Sequence, residues 1–180
     1  MKLKNNKGIT LTTLVITIII LLILSSITVF GGMSLIKRAN VESLKTNMLL
    51  IQAEAKAIAE EVNFRENALN KADQDDETKK NAIRAELLIG QKQVSTDTTI
   101  INKMNFLETE EGEETDFSNY YALEKEALQN MHVDTKVPEG EYYVVEYDFK
   151  SLDVKVYYTK GYNYKGTTYY ALSDLEEIKD

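Results

Sequence analysis

The sequence predicts an α+β fold in which a long N-terminal helix lies on a small antiparallel β-sheet. Three observations predict it. Residues 9–36 carry no charged side chain, although the 180-residue chain holds 21 Lys/Arg and 29 Asp/Glu. From Val41 to Val62 apolar residues recur at alternating spacings of three and four, which marks one face of a helix. All eleven tyrosines fall between Tyr120 and Tyr170, among alternating runs that read as strands.

Bulk composition, 43% hydrophobic and 28% charged, resembles that of an ordinary soluble protein, but the two classes are segregated along the chain. A formal charge of −8 argues against a general basic footprint, so no specific nucleic-acid partner is expected. The chain has no cysteine and one histidine, His132, which excludes disulfides, thiolate metal sites and multi-histidine metal centres. No metal or other cofactor is expected.

Taken in order, the first eight residues hold Lys2, Lys4 and Lys7 and no acid. The uncharged residues 9–36 follow at once, and about 20 apolar residues suffice to cross a bilayer core of about 30 Å. They are expected to span the cytoplasmic membrane once. The leading lysines favour an N-terminus inside and a C-terminal domain outside. Hydroxyls such as Thr17 fit such a helix because they bond to a carbonyl one turn back. A secretory signal peptide shares the basic start, but its apolar core is shorter and ends in a small-residue cleavage site that is missing here.

The second half of the helix is amphipathic. Val41, Leu44, Met48, Ile51, Ala55, Ile58 and Val62 form the seam, with Glu, Lys, Gln and Asn between them. No proline interrupts residues 9–62, so one helix of about 80 Å is expected, apolar all round in its first half. The seam packs on the protein's own following domain or, alternatively, pairs two chains in a coiled coil.

These residues resemble the N-terminus of a type IV prepilin, including the related pseudopilins of type II secretion. A short lysine-rich leader ends at Gly8, a hydrophobic helix opens Ile9-Thr10-Leu11-Thr12-Thr13-Leu14-Val15, and an amphipathic continuation follows. The resemblance implies that a prepilin peptidase cuts between Gly8 and Ile9, and Thr10, Leu11 and Leu14 match the family pattern. It implies the pilin-like arrangement of helix on sheet, and as partners the membrane, other pilin subunits and an assembly platform. The division is then leader 1–8, membrane or filament-core helix 9–36, amphipathic continuation 37–62 and an extracytoplasmic α+β domain 63–180. Loss of the leader takes the formal charge from −8 to −11.

One position departs from the family. A glutamate usually stands five residues into the mature chain, and here that place is Thr13. A hydroxyl accepts a hydrogen bond but does not neutralise an ammonium group. Thr13 therefore tilts the expectation toward a minor subunit and leaves methylation of the new N-terminus open.

Beyond the seam, residues 63–81 read as a polar connection. Asp73, Asp75, Asp76 and Glu77 suggest a calcium loop, but the sixth and twelfth positions are Thr78 and Arg84 instead of Gly and Glu. The acidic cluster from Glu108 to Asp116 reads as a solvated loop. Residues 81–89 have helical spacing closed by Gly90, and residues 94–107 carry no clear period. Residues 121–131 read as a helix of three turns. Strands are expected at 142–149, 152–159 and 167–171, with GYNYKG as a turn, in a sheet of three or four strands. Ser173 with Glu176 forms a capping-box pattern for a last helical turn. In the pairs Tyr142-Tyr143, Tyr157-Tyr158 and Tyr169-Tyr170, one ring is expected in the core and the other exposed.

No nucleophile elbow, zinc-protease motif or phosphate loop is present, and a non-enzymatic role is expected. The reading is a structural subunit, with rarity favoured by Thr13, of a type IV pilus-like or type II secretion pseudopilus filament at the cell surface. The alternative is a single-pass surface protein that binds a ligand and never polymerises.

Overall fold

The computed structural model of the protein describes residues 11–70, 73–107 and 115–178; the side chains at 11–13 and 22–35 lie outside that description. The chain divides into two compact units, Met1–Glu42 and Ser43–Asp180. The first helix, α1 (Leu11–Asn67), runs through both. It continues past Val62, and its end tightens, the N–H of Leu69 bonding to the carbonyl of Glu66 at 3.3 Å.

The second unit is α+β, with a five-stranded antiparallel sheet in the order β1-β2-β3-β4-β5. Strand β1 is Gln91–Gln93, β2 is Tyr120–Leu123, β3 is Tyr143–Asp148, β4 is Asp153–Tyr164 and β5 is Thr167–Ala171. Between and after them stand α2 (Glu77–Leu87), α3 (Thr98–Lys103), α4 (Lys125–Asn130) and α5 (Leu172–Glu176). Two short 3₁₀ turns, Val94–Thr96 and Asn105–Leu107, flank α3.

Register assigns the two faces. Tyr121, Val145 and Val156 pair across three strands, as do Leu123, Tyr143 and Tyr158. That face carries the clamps from α1: Gln52 Nε2 donates to the Val154 carbonyl at 3.0 Å and Asn63 Nδ2 to the Phe149 carbonyl at 2.6 Å. Along the same stretch of α1, Met48, Ile51, Ala55, Ala59 and Val62 are fully buried. Each of the larger side chains among them contributes about 1.5–3 kcal/mol by leaving water. The opposite face holds Tyr120, Ala122, Val144 and Tyr157, packed with Val94, Ile100 and Met104 from the α3 region. The sheet is thus covered on both sides.

Several expectations are corrected. The sheet has five strands because β2 and β1 join it. Residues 121–131 are not one helix: all four residues of β2 are buried in the sheet, and only Lys125–Asn130 coil. There the β-propensity of Tyr120 and Tyr121 and their cross-strand partners override a helical pattern. Helix α2 starts earlier than expected because Asp76, from the acidic run, caps it, its Oδ1 accepting from the Thr78 N–H at 2.9 Å. Residues 94–107, without a clear period, fold as the α3 region.

Strand β4 runs through the segment expected to turn, and the turn is Lys165-Gly166 alone, with φ of 50° and 91°. Positive φ at both central positions suits a two-residue hairpin. The strand survives Gly161 through a register shift between Tyr157 and Tyr162. Gly161 has φ 64°, and a Cβ there would sit 2.5 Å from the Thr168 methyl, so any other residue is strained and must displace its neighbours. Helix α5 is preceded by Ala171 without a side-chain cap, and Ser173 lies inside it. The N–H of Glu141 closes a tight exposed turn onto the Pro138 carbonyl at 3.0 Å just ahead of β3.

The tyrosine pairs depart from the expected one-in, one-out pattern. Tyr143 and Tyr157 are buried, but Tyr142 and Tyr158 are half-buried, as are both Tyr169 and Tyr170. Tyr158 stacks on Tyr143 at 4.8 Å and Tyr170 on Phe106 at 4.1 Å. Covering both faces of the sheet leaves no fully wet side for the outer ring of each pair.

Candidate functional site

The residues proposed for processing and assembly lie on and before α1. Lys2, Lys4, Lys7, Gly8, Ile9 and Thr10 are outside the described residues. Leu11 and Thr13 are in the α1 backbone, with side chains outside the description. Leu14 is 51% exposed, and Val15, Ile16, Ile18, Ile19, Ile20 and Leu21 are exposed to a similar degree. These positions point in every direction around the axis, so an apolar surface faces outward on all sides. Thr17 breaks the run without adding an unpaired group, because its Oγ1 donates to the Leu14 carbonyl at 2.8 Å. Among the described residues, no helix is long and apolar enough to cross a membrane; the stretch 9–36 on which that expectation rests extends beyond them.

The seam residues fall where a single inward stripe would put them. Val41, Met48, Ile51, Ala55 and Val62 are buried, while Leu44 and Ile58 are half-buried. Ala59, absent from the seam read in the sequence, is fully buried. A strict seven-residue repeat drifts about 20° per heptad on a straight helix, so after two repeats the centre of the stripe passes from Ile58 to Ala59. Gln52 and Asn63 border the stripe and make the two bonds to the sheet. Sequence pattern treats Gln52 only as a polar spacer and Asn63 only as the start of the polar connection.

Leu49, Leu50 and Phe64 are exposed on α1, at 45%, 44% and 70%. They lie off the buried stripe, so the second half of α1 has apolar surface left after its own sheet is served.

His132 is exposed and follows Met131, the C-cap of α4, with φ 56°. Its N–H bonds to the Gln129 carbonyl at 3.1 Å, and that of Val133 to Leu128 at 2.9 Å. The two bonds form a Schellman ending, with Val133 and Leu128 both buried beneath it. Among the described residues, no three His, Asp or Glu side chains are grouped to hold a metal ion.

Partly buried polar contacts also lie on the α3 side of the sheet. The Tyr157 hydroxyl donates to Glu146 Oε2 at 2.7 Å, and Lys155 lies 3.4 Å from the same carboxylate. Burial, and then the nearby Glu146 carboxylate, push the Tyr120 phenol well above its ordinary range. Glu141 takes a salt bridge from Lys103 at 2.6 Å and a hydrogen bond from Thr159 Oγ1 at 2.7 Å, tying α3 to β4. These contacts fasten the layers together.

No family model matches the chain, and neither a curated protein nor a solved structure is similar to it.

Proposed function

We propose that this chain is a structural subunit, of the minor kind, of a type IV pilus-like or type II secretion pseudopilus filament, anchored in the cytoplasmic membrane before assembly. The observation that carries the proposal is the division of labour along α1. Leu14 to Leu21 present an apolar surface all round, while Met48 to Val62 bury one stripe on the domain's own sheet. A helix apolar on every side is stable in lipid and in a bundle of similar helices. Moving from bilayer to filament therefore exchanges one apolar surround for another. Leu49, Leu50 and Phe64 give neighbouring subunits a second contact.

In this reading a prepilin peptidase removes the lysine-rich leader after Gly8, and the new N-terminus begins at Ile9. Without a carboxylate at Thr13, an α-amino group with a pKa near 8 enters the apolar core more easily neutral than charged. Mass spectrometry of the membrane-extracted protein tests the reading. A chain beginning at Ile9, and an uncut chain in Gly8→Ala, are expected. An intact Met1 in the native protein indicates a permanently anchored surface protein, and a start beyond Gly31 indicates export by signal peptidase. Immunogold labelling of surface filaments tests incorporation.

A further inference from the structure

A groove of about 1050 Å³ opens between α2 and β1, floored by Tyr121 and Phe149 and bordered by Asn119 and Lys150. This volume is at the upper end of small-ligand sites, which run about 300–1,000 Å³. The floor is buried, with Tyr121 8% and Phe149 5% exposed. Arg84 lies over it, its guanidinium carbon 4.8 Å from the Phe149 ring centre.

Two polar groups line the groove. The Nε of Arg84 donates to Glu66 Oε1 at 2.8 Å, and its two terminal nitrogens take no part in that bond. A guanidinium fork offers five N–H donors in fixed geometry. Tyr121 lines the groove, and its hydroxyl can both donate and accept. Burial raises its pKa, against a smaller downward pull from Arg84, so it remains a neutral donor.

Charge and lining define the ligand. Lys80, Arg84 and Lys150 stand against Glu66 and Glu77, so the groove carries a net charge of about +1 and matches one anionic group, not a polyanion. The side chains of Asn81 and Asn119 at the rim each donate and accept, which suits neighbouring hydroxyls. Among the lining residues, Ile89 is the only large apolar side chain that is well exposed, at 55%, so the groove offers little to an apolar peptide side chain.

We infer that this groove binds an acidic saccharide, with a carboxylate on the terminal nitrogens of Arg84 and ring hydroxyls on Tyr121, Asn81 and Asn119. This activity is independent of the filament reading and holds for an anchored subunit as well as an assembled one.

The test is calorimetric titration of the full chain, held in a zwitterionic detergent free of sugar head groups, with trigalacturonate at low salt. Saturable binding is expected, with affinity about tenfold lower in Arg84→Gln and about threefold lower in Tyr121→Phe. Because Arg84→Gln also strands Glu66, Lys150→Ala serves as a second charge variant on an exposed side chain, with a severalfold loss expected. Maltotriose, of similar size and uncharged, is expected not to bind. The proposal fails if trigalacturonate shows no saturation, if maltotriose binds as well, or if a triglutamate peptide binds as tightly. It also fails if folded Tyr121→Phe and Lys150→Ala both keep full affinity.

Discussion

Gln52 on α1 and Val154 on β4, separated by 102 residues in sequence, are joined by a 3.0 Å bond from the side-chain amide to the main-chain carbonyl. With the 2.6 Å bond from Asn63 to Phe149, it fixes where along α1 the sheet sits. Apolar burial alone tolerates sliding, whereas a directed donor sets one position. Gln52→Ala and Asn63→Ala should each lower stability by about 1 kcal/mol, and the exposed Leu50→Ala by less than about 0.5 kcal/mol. Urea unfolding of the detergent-held chain, followed by far-ultraviolet circular dichroism, measures the difference.

The Schellman ending of α4 holds His132 at φ 56°, a conformation that disfavours any residue with a Cβ. His132→Gly should therefore stabilise the fold by about 0.5–1 kcal/mol, while His132→Val should destabilise it. A shift of the melting temperature in opposite directions for the two variants is the expected readout. Loss of stability in His132→Gly would show that the imidazole makes a contact of value.

Glu141 links stability to acid. Burial pushes its carboxyl up, but the Lys103 and Thr159 bonds outweigh that and hold it below the ordinary value of 4.5. A depressed folded-state pKa gives stability that is present above 4.5 and is lost as pH falls through the folded value. Glu141→Gln should be less stable than the parent at pH 7 and should lose less on acidification. Parallel urea titrations at pH 7 and pH 3 check both halves of the statement.

Tyrosines give the opposite limb. Burial, followed by the charge of neighbouring groups, pushes the Tyr158 phenol up to about 12, and burial above all raises Tyr120, Tyr147 and Tyr157 further. A phenol whose folded pKa exceeds its unfolded value near 10 adds stability below pH 10, which is lost as pH rises through the folded value. Absorbance at 295 nm should thus show these four phenols ionising only well above pH 10, together with the loss of circular dichroism. A single smooth titration of all eleven tyrosines near 10 would contradict the buried packing.

The parts of the fold legible in the sequence were those with local periodicity. The seam from Met48 to Val62 and the strands β3 and β5 follow from spacing alone, since burial on one face leaves a regular trace. Strand β1 leaves none: Gln91, Lys92 and Gln93 are polar residues recruited by their register with Tyr121, Ala122 and Leu123. Strand β2 was masked because its residues continue into the good helix formers of α4. The groove was invisible for a different reason. Arg84, Tyr121 and Phe149 come from α2, β2 and the turn after β3, and only the folded sheet brings them together. The proposed leader and cleavage residues rest on a motif alone and lie outside the described residues.

The turn that closes Glu141 onto Pro138 is exposed, and a side-chain carbon at Gly140 would meet no atom within 4 Å. Gly140 itself, at φ 76°, strains any residue with a Cβ, so the exposed neighbour Glu139 is the place for a cysteine that leaves the layers beneath undisturbed. With no native thiol to compete, a single dye at position 139 would make individual molecules countable by microscopy.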